Sequence, residues 1–236
     1  SVAIGQEALS NQNFTTATDT YNTAVGFLAG KLVTTGSQNT LIGGLAGDAI
    51  TTGDYNVAFG RSALSTNTAS NTNVAIGGQS LADFNVTTDT DTHNVAVGYA
   101  AGAAMTTGVL NTLIGGLAGD ALTTADENVT VGYNSLSTNT KSFYNVAVGS
   151  RSLAAHNISS ADTAGYNTAV GTAAGAAITT GINNTLIGGL SGDLMTTGNN
   201  NVGVGISSIS GGTVTGNDNT GVGSAAGFAL SSGINN

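Results

Sequence analysis

The chain has 236 residues, of which 36 are Gly and none is Pro, Cys or Trp; only 7% are charged, and the formal net charge is −9. With four basic residues (Lys31, Arg61, Lys141 and Arg151), contacts to nucleic-acid phosphates or anionic lipid are not expected, and the lack of Cys removes disulfide scaffolds and thiolate metal sites. Hydrophobics at 40% without Pro argue against disorder, Gly does not recur every third residue as in collagen, and no apolar run approaches the ~20 residues of a membrane helix.

Along the chain one pentapeptide recurs: Asn, Thr or Val, a residue that is usually Ala or Leu, then Val, Ile or Phe, then Gly. A first copy without its Asn is Ser1-Val2-Ala3-Ile4-Gly5. Twelve more open at Asn22, Asn39, Asn56, Asn73, Asn94, Asn111, Asn128, Asn145, Asn167, Asn184, Asn201 and Asn219. They close at Gly26, Gly43, Gly60, Gly77, Gly98, Gly115, Gly132, Gly149, Gly171, Gly188, Gly205 and Gly223. Most spacings are 17 residues; one is 18 and three are 21 or 22. Four coil types alternate, giving super-repeats at about 22–93, 94–166 and 167–236. The second type reads Asn-Thr-Leu-Ile-Gly-Gly-Leu at 39–45, 111–117 and 184–190. The passage from the fourth type to the first carries the extra residues, at roughly 10–20, 82–92 and 154–165.

Such a period predicts an all-β fold: a parallel β-solenoid of about thirteen coils forming one continuous repeat domain over 1–236. The pentapeptide is the strand. Period-2 alternation puts its second and fourth residues (Thr40 and Ile42) on one face and its third (Leu41, Ala58, Ala75) on the other. Both faces are apolar or small, as in a sheet buried on both sides. A lone solenoid has one interior, so the third position is expected to need a second surface, most simply a partner chain. The closing Gly turns the chain, and polar turns such as Thr51-Thr52-Gly53 follow. For the opening Asn two readings stand: an amide ladder from coil to coil, or tolerance of the turn backbone.

Ser1-Val2-Ala3-Ile4-Gly5-Gln6-Glu7-Ala8, Asn73-Val74-Ala75-Ile76-Gly77 and Asn145-Val146-Ala147-Val148-Gly149 resemble the head repeats of trimeric autotransporter adhesins. The 17-residue version with Thr-Thr-Gly turns is similar to repeat shafts in phage and bacterial tail-fibre proteins. The resemblance spans essentially the whole chain. It implies a left-handed parallel β-roll that forms a homotrimer; handedness and subunit number come from it alone. Adhesin head repeats are usually shorter than 17 residues, which favours the fibre-shaft relatives.

Catalysis is not expected. His93 and His156 are the only histidines, there is no Cys, and no Gly-x-Ser-x-Gly elbow occurs. No cofactor or metal is expected either. Gly43-Gly44-Leu45-Ala46-Gly47-Asp48-Ala49-Ile50 is a near miss to the calcium β-roll nonapeptide, and its Asp recurs only at Asp120 and Asp193. Gly-Asp as turn chemistry is the preferred reading, and Asp89 and Asp91 are a candidate for holding an ion at a trimer edge. Recognition is sought in the insertions, which contain Phe14, Phe84, Asp89, Asp91 and His156. The alternative reading tucks the Phe side chains inward.

The repeat is under way at both ends of the chain, so we expect a segment of a longer fibre. The expected function is a structural or adhesive stalk or head on a cell or virion surface, its partner a second copy of itself or a host-surface or matrix receptor. A self-assembling filament or sheath subunit and an ice-binding solenoid are the alternatives.

Overall fold

The computed structural model describes residues 1–158, 163–212 and 214–236. The chain is an all-β parallel solenoid of about thirteen turns, with no helix among the described residues. Two compact units divide it, Ser1–Gly116 and Leu117–Asn236. The first holds β1 (Val2–Ile4), β2 (Thr23–Val25), β3 (Thr40–Ile42), β4 (Val57–Phe59), β5 (Val74–Ile76), β6 (Val95–Val97) and β7 (Thr112–Ile114). The second holds β8 (Val129–Val131), β9 (Val146–Val148), β10 (Thr168–Val170), β11 (Thr185–Ile187), β12 (Val202–Val204) and β13 (Thr220–Val222).

Within each unit every strand pairs in parallel with the next, and equivalent repeat positions stand opposite one another: Thr40 to Val57, Leu41 to Ala58, Ile42 to Phe59. Register survives the longer spacings. Val74 faces Val95 and Val146 faces Thr168, so the added residues leave the strands in step.

The third strand residue points inward, opposite to the sequence-based expectation. Ala24, Leu41, Ala58, Ala75, Ala96, Leu113, Thr130, Ala147, Ala169 and Leu186 are all fully buried within the chain's own coils. The second and fourth residues face outward and are half-buried or exposed. Alternation assigns residues to faces but not faces to the inside when both are apolar.

After each strand the chain runs through consecutive turns rather than a second strand. Residues seven and nine of a coil, counted from its Asn, take left-handed φ, for example Leu45 at 61° and Leu64 at 54°. For a branched side chain this costs about 1–2 kcal/mol. Two effects offset it. The left-handed residue donates its N–H to a neighbouring coil, as Leu45 does to Phe27 and Leu64 to Ser80. At the ninth position, burying a Leu side chain contributes roughly 2 kcal/mol.

Core volume explains the four-coil super-repeat. Three positions fill the interior: the third, the ninth and the twelfth. A first-type coil supplies Ala24, Gly30 and Val33; a second-type coil Leu41, Gly47 and Ile50; a third-type coil Ala58, Leu64 and Asn67; a fourth-type coil Ala75, Leu81 and Phe84. Where the strand brings Leu, the turn brings Gly, and where the turn brings Leu, the strand brings a smaller residue, Ala or, at Thr130, Thr. Gly30 has no room for a side chain: a Cβ there would stand 2.6 Å from Leu41 Cδ1 and 2.9 Å from Leu9 Cδ2. Leu side chains from the coils before and after fill the space that the small coil leaves. Close packing of this kind leaves little tolerance for volume changes at single sites.

Candidate functional site

Three features recur with the repeat: an outward strand face, a buried Asn row and the exposed insertions. The outward face is built from the second and fourth strand residues. The second position is Val or Thr and the fourth is Val, Ile or Phe in every coil, so no charge interrupts either unit. Ile4 is 59% exposed, Phe59 51% and Ile187 42%. A largely apolar, uncharged surface of this kind marks an interaction site more often than a bare exterior.

The opening Asn residues are buried, and each amide joins two coils. In the first unit Asn39 Nδ2 donates to the Gly53 carbonyl at 2.8 Å, while its Oδ1 accepts from the Asn56 backbone N–H at 2.9 Å. Asn22, Asn56 and Asn94 make both bonds with their own neighbours. In the second unit the same pattern runs through Asn128, Asn167, Asn184, Asn201 and Asn219, while Asn145 accepts from the Asn167 backbone N–H and donates its Nδ2 to Asn128 Oδ1. Buried backbone donors and acceptors at one corner of the coil are thereby satisfied. Of the two readings of this Asn, the amide ladder is the one these bonds describe.

No protein-family model matches the chain, and neither does any curated protein or solved structure.

The insertions divide into buried and exposed parts. Phe84 and His156 occupy the inward twelfth position of their coils and are fully buried. For Phe84 this is the inward one of the two readings, and for His156 it corrects the expectation of a recognition surface, because both side chains fill the coil interior. Phe14 is half-buried. Residues 87–91 are exposed, and Asp89 and Asp91 both accept from Asn71 Nδ2, at 2.8 and 3.3 Å. Their placement has an explanation within the chain. Residues 159–162 of the third insertion lie outside the described residues. His93 is exposed at the corner before Asn94, with φ of 51°.

Asp48, Asp120 and Asp193 each bury an Oδ1 that has no hydrogen-bond partner. Burial pushes all three carboxyls above the usual carboxylate range, against opposing backbone N–H groups. Among the described residues no group of three or more His, Asp or Glu side chains is placed to hold a metal ion. The first Thr of several Thr-Thr turns also spends its hydroxyl inside the stack. Thr34 donates to the Thr51 carbonyl, Thr51 to Thr68 and Thr123 to Thr140.

His156 is the buried group with the largest electrostatic consequence. Its Nε2 lies 3.3 Å from Ser142 Oγ, and its Nδ1 has no hydrogen-bond partner. Desolvation lowers its pKa from 6.5 to about 4, with the Thr179 backbone acting in the opposite direction. A depressed histidine pKa means that the unfolded chain takes up the proton first. Stability at this site is complete above about pH 6.5 and is lost as the pH falls toward about 4. The loss is roughly 3 kcal/mol. Denaturant unfolding at pH 7.5 and 4.5 measures it. His156→Phe, which installs the residue found at Phe84, is expected to remove this part of the acid sensitivity.

Proposed function

We propose that the chain is a segment of a homotrimeric fibre on a cell or virion surface, serving as a stalk or adhesive head, without catalysis. In this reading the coils form a left-handed roll, as in the adhesin-head and fibre-shaft repeats that the pentapeptides resemble. The observation that carries it is the uncharged outward strand face, on which Val, Ile and Phe side chains remain half-exposed. Three copies facing one another across these strands remove that surface from water. Burial at about 25 cal/mol per Å² stabilises such an assembly. A surface of repeated, mostly β-branched side chains suits close packing between chains better than capture of a small molecule. The partner-facing residues in this reading are the second and fourth of each strand, not the third.

Sedimentation equilibrium tests the reading. The expected species is a trimer of the 22.9 kDa chain. Ile76→Lys together with Ile187→Lys, which places a charge on the outward face of each unit, is expected to give monomers with unchanged circular dichroism. A monodisperse wild-type monomer overturns the proposal. Open-ended species that lengthen with concentration also overturn it and select a filament.

A further inference from the structure

We propose that the groove beside Tyr144 is a binding site for an organic cation, a quaternary ammonium or guanidinium group. The groove is a cleft of about 300 Å³ lined by Thr124, Asp126, Glu127, Phe143 and Tyr144. The repeat creates it. Glu127, Tyr144 and Tyr166 each precede the opening Asn of a coil and take left-handed φ of 54°, 61° and 47°. Successive coils therefore set these three side chains in one row at an exposed corner. The Tyr144 and Tyr166 rings stack with centroids 5.2 Å apart and planes 16° apart. Phe143 meets Tyr144 edge-on at 4.8 Å and 77°. The result is an aromatic corner closed on one side by two carboxylates.

This chemistry selects a cation. Ring faces attract a cation through their quadrupole, most strongly when it is weakly hydrated and large enough to stay in ring contact. The Glu127 carboxylate lies close enough to Tyr144 that its charge is the main cause raising the phenol's pKa. The same carboxylate accepts from the Tyr144 hydroxyl, a further cause of the raised pKa, and this holds Glu127 beside the ring at the groove. With four basic residues and a net charge of −9, the long-range field also draws cations toward the surface. An anion would meet both carboxylates. A compact hydrated metal ion has no cluster of three acidic or imidazole ligands here.

Neighbouring coils supply substitutions that this corner tolerates. Gln38 and Leu110 occupy the same coil position with φ of 58° and 60°. Glu127→Gln and Tyr144→Leu are therefore compatible with the backbone, and Tyr55→Leu at the same position of the first unit is the control.

The experiment is an NMR titration of the whole chain, labelled on Tyr and Phe rings, with tetramethylammonium chloride. Guanidinium chloride at non-denaturing concentration and a blocked arginine dipeptide form parallel arms. Saturable shifts confined to Phe143, Tyr144 and Tyr166 are expected. Glu127→Gln is expected to weaken binding roughly fivefold and Tyr144→Leu tenfold or more, on the scale of a partly desolvated cation–π contact. Tyr55→Leu leaves it unchanged. Stronger binding of the dipeptide than of tetramethylammonium identifies an arginine side chain as the source, and the reverse identifies a free ammonium headgroup. Shifts that sodium chloride reproduces, or that persist in Tyr144→Leu, overturn the proposal. Saturation by a neutral disaccharide without response to the cations also overturns it.

Discussion

Gly171→Ala is expected to destabilise the second unit by about 4 kcal/mol or more, among the largest effects that a single methyl group can have. Gly171 has φ of 138°, a region essentially closed to residues with a side chain. A Cβ there would also stand 2.5 Å from both the carbonyl carbon and oxygen of Gly188 and 2.8 Å from the Gly189 nitrogen. These are backbone atoms of the next coil, held by the strand ladder, so they cannot rotate away as a side chain would. Relief requires parting β10 and β11. The neighbouring Gly189→Ala is the control, because its φ is ordinary and the nearest atom to a Cβ is 4.0 Å away. It is expected to be neutral within about 0.5 kcal/mol. Native-state hydrogen exchange of the strand amides distinguishes the two. Gly171→Ala should collapse protection in β9 to β11 first, since a solenoid loses stability from the weakened interface outward.

Asn184→Ala is expected to cost about 3 kcal/mol, although the residue changed is small and uncharged. The Asn184 amide donates to the Gly198 carbonyl at 2.9 Å and accepts from the Asn201 backbone N–H at 2.9 Å. It also bonds to the amides of Asn167 and Asn201, both at 3.1 Å. Removal strands a buried carbonyl on one coil and a buried N–H on the next, and each unsatisfied group costs about 1–3 kcal/mol. Asn184→Asp is expected to be worse than Ala at pH 7. A carboxylate cannot donate to Gly198, and burial opposes its charge. Its folded pKa then lies above the unfolded value, so the deficit is greatest at neutral pH and shrinks as the pH falls through the folded pKa. Guanidinium unfolding of both variants at pH 7 and pH 3.5 reads this contrast. An equal deficit of Asn184→Asp relative to the wild-type chain at the two pH values would contradict the ladder as drawn.

Gly171 and Asn184 are displayed in the sequence more openly than the Tyr144–Tyr166 corner. The recurring Gly and Asn are visible as a pattern, and the strand between them follows from β-branched residues and alternation. The Tyr144–Tyr166 stack is visible only in fragments. Tyr-Asn pairs open coils at 21–22, 55–56, 144–145 and 166–167, but 22 residues separate Asn145 from Asn167. The shared row emerges once the insertion is known to leave register intact. The twelfth position shows the opposite difficulty. Phe84 and His156 stand close to polar insertions, and position alone suggests exposure. Their burial follows from the volume that each coil must fill.

By itself the sequence determined the period, the thirteen strands, the glycine turns and the absence of the basic and thiol chemistry that many functions require. Local geometry suffices for these, because a strand and a turn are specified by residues adjacent in the chain. Only the tertiary structure decided which face of each strand is the interior. Leu41 and Ile42 are nearly equal in hydrophobicity, so no local property separates them. What separates them is the complement across the coil: Leu41 meets Gly30 and Gly47, where its volume fits, and Ile42 faces outward. That complement is a relation between residues on neighbouring coils. Close packing of a narrow core made the choice, and it placed an apolar face outward on each unit.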